Sequence, residues 1–149
     1  MNIFVLNENP YKSGNMLCTK HLDKIIIDSC KLLCSVFYFN SDIIPPYKLT
    51  HHELNHPCAK WVRESSKNFD WLLMYLYGLL WYYDSVYSKE HECSKTFVWI
   101  ADNEHKLKFS QYKLTPFIQY VPKQYQSENT IEAYIKYYIC EKIKDCSIL

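Results

Sequence analysis

Glu64 and Asn68 stand four residues apart in a stretch whose other members at helical spacing are Trp61, Leu72, Tyr75 and Leu79. Leu or Ala would be cheaper in such a stripe, because a buried carboxylate costs free energy unless it is paired or hydrogen-bonded. A carboxylate and an amide planted there point to a polar site. Arg63 is the adjacent cation in sequence, but on a helix it points about 100° away from Glu64. The partner must come from elsewhere. His21 is the other group suited to proton transfer, with Lys20 and Lys24 close by. His56, Arg63, Lys89 and His91 fall at element ends that could converge on one cleft between the first and central helices. Cations around one carboxylate suit a phosphate-bearing ligand handled by a general acid and base. Glu64 and His21 are the expected acid–base pair. Lys24, Arg63 and Lys89 are expected to hold phosphate, with Lys20, His56, Asn68 and His91 completing the ligand set. Trp61, and Tyr75 beyond it, could stack a base, a contact worth roughly 1–3 kcal/mol.

Other chemistries fit less well. Lys20 and Lys24 near His21 would permit a Schiff base and a DNA glycosylase-lyase reaction. Cys18 with His21, and His56 with Cys58, could together make a tetrahedral zinc site. Neither pair has the CxxC signature, and Cys18 falls on an apolar face, so no metal and no cofactor is expected. Ser65 and Ser66 do not sit in a nucleophile elbow. With only Gly14 and Gly78 in the chain, glycine-rich phosphate loops are excluded. A formal charge of +1 excludes a broad basic nucleic-acid surface as the dominant feature and leaves room for a local patch.

The elements that must position these groups follow from periodicity. His56 to Tyr83 reads as one long helix, with Pro57 near its start and a bend at Ser65–Ser66. It carries two apolar stripes, which makes it the central post of the domain. Asn15 to Tyr38 reads as a first helix. Cys18, Leu22, Ile25, Ser29, Leu32 and Val36 form its core face, with His21, Lys24, Asp28 and Lys31 opposite. A last helix is expected from an N-cap at Ser127 to about Lys144, with 145–149 frayed. Residues 2–6 read as a short strand or extended segment, 7–15, 40–55 and 101–113 as loops, and 96–100 as apolar but of undetermined type. The expectation is a single mainly α domain over 1–149, with at most one or two short strands. Seven Cys is an odd number, and Met1 to Leu6 lacks a charged leader segment. Reduced thiols in a cytosol-like compartment are therefore expected. No run of 18 apolar residues exists, so no membrane partner is expected.

The order MNIFVLNENP, CTKHLDK, KLLCS, HPCAKWVRESSKNFDWL, KEH, LTPFIQYVPKQY and AYIKYYICEK resembles a family of small uncharacterised proteins. They are encoded by tailed phages and large DNA viruses. The resemblance covers most of the chain, and the block from His56 through Trp61, Arg63, Glu64, Ser65 and Asn68 to Leu72 is its most specific part. The family has Glu at the position of Asp28, an acidic residue near Tyr82 and a basic one near Val86, so this chain lacks part of a charged cluster. The resemblance implies a viral accessory protein in the cytoplasm of an infected host cell. The resemblance brings no activity with it; the lysines, arginine and histidines give the expected ligand, a nucleotide-like small molecule or nucleic acid. The alternatives are a non-catalytic sponge for a nucleotide signal, a glycosylase/lyase-like repair enzyme and a module that binds a host protein.

Overall fold

Asn9 opens the first element of the chain. In the computed structural model, which describes residues 1–146, its side chain accepts from the N–H groups of Tyr11 and Lys12. Pro10 takes the first helical position of α1 (Pro10–Asn15), where its missing N–H costs nothing. A single 3₁₀ turn, Thr19–His21, leads into α2 (Leu22–Asn40). Thr50 and Glu53 form a reciprocal capping box on α3 (His51–Leu54). Then come α4 (Pro57–Glu64), α5 (Ser66–Tyr87) and α6 (Ser94–Asn103). The last helix, α7 (Thr130–Tyr137), widens into a π turn at Tyr138–Lys142 and ends in a 3₁₀ turn at Ile143–Asp145. The class is mainly α, and no strand occurs among the described residues.

The long central helix is two helices. Ser65 is extended (φ −150°, ψ 147°) and buried, and its hydroxyl caps α5 by accepting from the Lys67 N–H. The same hydroxyl donates to the Lys113 carbonyl, and the Ser66 N–H donates to the Gln111 carbonyl at 3.0 Å. Polar groups at the break are thus taken up by the strap that follows α6. Residues on α2, α4 and α5 supply most of the core, including Leu22, Phe37, Val62, Phe69, Leu72 and Leu76.

Other boundaries also move. Residues 3–6 are buried but form no strand; the Ser13 hydroxyl donates to the Phe4 carbonyl and accepts from the Leu6 N–H, at 2.9 Å each. Part of the expected 7–15 loop is α1, and the undetermined 96–100 segment lies in α6. Asn129, not Ser127, caps α7, accepting from the Glu132 N–H at 3.1 Å. Of the tail expected to fray, Asp145 closes a turn and residues 147–149 lie outside the described residues.

Candidate functional site

Positions 21, 24, 25 and 28 share one face of the first helical turns because their spacings are three, four and seven. That face, the N-terminal residues and the end of α7 enclose a cavity of about 410 Å³, within the size range of small-ligand pockets. Its basic side chains are Lys20, His21, Lys24 and Lys142. Among the described residues its carboxylate is Asp28, only 8% exposed, which accepts from Lys24 Nζ at 2.8 Å. Phe4, Tyr120, Tyr137 and Tyr138 supply aromatic surface.

Tyr138 organises one end of this cavity. Its phenol oxygen accepts from the Cys18 N–H at 2.7 Å and lies 2.7 Å from His21 Nδ1. Burial pushes its pKa up, partly opposed by the Cys18 hydrogen bond. Beside the cavity, His56 packs its ring 4.7 Å from that of Tyr120. Burial lowers the His56 pKa, helped by the positive N-terminus and His52. Cys18 is joined to Cys146 by a disulfide, which overturns the expectation that all seven thiols are reduced. Cys30, Cys34, Cys58 and Cys93 are free and buried, and Cys140 is free and exposed.

The structure does not bring the expected acid–base pair together. Glu64 ends α4 on the solvent side, accepts from Thr115 Oγ1 at 3.2 Å and does not line the cavity of His21. The reason is the extended residue at 65, which resets helical phase so that Glu64 leaves the stripe it would share with Asn68. Asn68 is fully buried, as expected, but its amide is spent on structure. It donates to the Trp61 carbonyl and to Thr115 Oγ1, and accepts from the Thr115 N–H. Trp61 is core, donating its indole N–H to the Pro116 carbonyl and packing on Trp71 and Phe117. Arg63 donates to the Leu54 carbonyl and lies 3.9 Å over the Phe39 ring. His91 is buried, bonded to Asp23 through Nε2 and to the Cys93 N–H through Nδ1. Lys89 is exposed and does not line the cavity. His56 repeats the His91 pattern, with Nδ1 accepting from the Cys58 N–H to cap α4. In both His-x-Cys segments the imidazole therefore serves the backbone.

Of the sequence-derived set, Lys20, His21 and Lys24 meet in one place. Asp28 stands on their face but has no role in the expected set, and Tyr138 is not in that set. Tyr120 and Lys142 had no local signal.

Two other features could carry chemistry or contacts. Cys30 and Tyr47 approach Cys93, with the Tyr47 hydroxyl 3.4 Å from its sulfur. Hydrogen bonding, first from Cys30 and then from Tyr47, draws the Cys93 thiol down to about 6, whereas Cys30 moves up. Cys30 and Cys93 are 0% and 2% exposed, so no substrate reaches them. On the far side of α5, Tyr77 and Trp81 border an open groove with Asp84 and Glu90.

No protein-family model, curated protein or solved structure matches the chain.

Proposed function

We propose that this protein binds a phosphate-bearing aromatic small molecule, of the nucleotide class, in the cavity between the start of α2 and the end of α7. The observation that carries this is the lining itself: three lysines and a histidine share one cavity with four aromatic rings. Lysine ammonium groups donate hydrogen bonds to phosphate oxygens, and tyrosine faces stack flat rings. A volume of about 410 Å³ suits one small ligand rather than a duplex.

Binding without turnover is the better reading. Glu64 is outside the cavity, and Asp28, the carboxylate among its described lining residues, is already committed to Lys24. The role that fits the resemblance to viral accessory proteins is sequestration of a nucleotide signal. The test is isothermal calorimetry of the oxidised, metal-free protein with nucleoside mono-, di- and triphosphates, nucleosides and inorganic phosphate. A nucleotide is expected to bind, to be recovered intact, and to lose roughly tenfold or more in affinity in Lys20→Ala/Lys142→Ala, in keeping with charge-assisted bonds of about 1.5–3 kcal/mol. Equal binding by that variant, or no binding of any phosphate ligand, removes the proposal.

A further inference from the structure

We propose that Cys18, His21 and Cys146, once the disulfide is reduced, form a zinc site that clamps the end of the chain onto the start of α2. Among the described residues, these three bring one ligand atom each to within 4.8 Å of one another. His21 Nε2 is 4.0 Å from Cys146 Sγ, and the two sulfurs already meet across 128 residues of chain. Two thiolates and an imidazole are a zinc donor set, and three protein ligands leave a fourth position for water or an anion.

The second observation is the partner of the other ring nitrogen. His21 Nδ1 is 2.7 Å from the Tyr138 hydroxyl, which also accepts from the backbone N–H of Cys18. A metal-bound histidine commonly donates its second N–H to an oxygen that fixes ring orientation. Here one phenol orients both the His21 ring and the backbone of the first cysteine. His56 and Cys58 lack this arrangement, because His56 Nδ1 is occupied by the Cys58 N–H.

The chemistry balances as a reduction followed by a proton release. A trialkylphosphine cleaves the disulfide with one water, giving two thiols and the phosphine oxide. Each thiol then loses its proton on binding the metal. Oxidised protein has no thiolate to offer at this site, so metal and disulfide are mutually exclusive.

The test uses cobalt(II) as a spectroscopic substitute for zinc, on the full chain, before and after phosphine treatment. Reduced protein should take one cobalt per chain, show a thiolate-to-cobalt charge-transfer band, and release the metal to added zinc. Oxidised protein should show no such band. Cys146→Ser should lose it, and Tyr138→Phe should bind roughly 10–100-fold more weakly. Circular dichroism of each variant separates a lost site from a lost fold. The proposal falls if reduced wild-type protein gives no thiolate band, or if Cys146→Ser keeps it at full strength through another thiol. The nucleotide proposal is tested on oxidised protein without metal, so each can fail alone.

Discussion

His56 must be neutral to do its work, since Nδ1 accepts the N–H of Cys58 at the start of α4. Its folded pKa is below the ordinary value of 6.5, with burial as the main cause. The unfolded chain therefore takes up this proton first as pH falls. The contribution is fully present above about 6.5 and is lost on acidification below it. Urea midpoints between pH 7.5 and 5 should fall accordingly. His56→Asn, which keeps a capping oxygen, should flatten that part of the slope. Asn68 makes a different demand. It satisfies Trp61 and Thr115 inside the protein, and Asn68→Ala should cost about 1–3 kcal/mol in chemical denaturation by orphaning those groups. The burial of this amide was legible from its neighbours. Its purpose was not, because a polar residue in an apolar stripe looks alike whether it serves a ligand or a strap 47 residues away.

The element scale shows why Glu64 and Asn68 do not share a helix face, although both bond the Thr115 hydroxyl. The stripes of α4 and α5 read continuously through the serines, so periodicity alone joined them into one helix. Ser65 and Ser66 marked the place of the bend, since serine favours caps over helix interiors. What turned a bend into a break is the strap at Gln111 and Lys113, distant in sequence. The packing of α1 on α5 is a second element-scale feature, and it uses both glycines. A Cβ at Gly14 would meet the Leu79 side chain at 3.1 Å, and Leu79 is fully buried. A Cβ at Gly78 would meet the Tyr11 ring edge at 3.1 Å, but Tyr11 is 40% exposed and can swing aside. Gly14→Ala should therefore destabilise, by about 1–3 kcal/mol if Leu79 cannot yield. Gly78→Ala should be neutral or gain up to about 1 kcal/mol from helix propensity. Paired thermal melts check the two signs, and equal losses would refute the distinction.

At the scale of the molecule, the helical class was legible because a 3.6-residue period records burial directly. The cavity was not, because its walls are brought together by contacts that no local period encodes. Asn2 donates to the Tyr120 carbonyl 118 residues away, and the Tyr134 hydroxyl donates back to the Asn2 side chain. Phe4 packs against Tyr134, Tyr137 and Tyr138 with ring centroids 5.5–6.1 Å apart. The opening residues are thus held by the closing helix. During synthesis, Phe4 is made well before Tyr134, Tyr137 and Tyr138, so its ring must wait for them before that side of it is covered. Nascent chains stalled short of α7 should accordingly stay open to chymotrypsin-like cleavage at Phe4 after the helices between have formed.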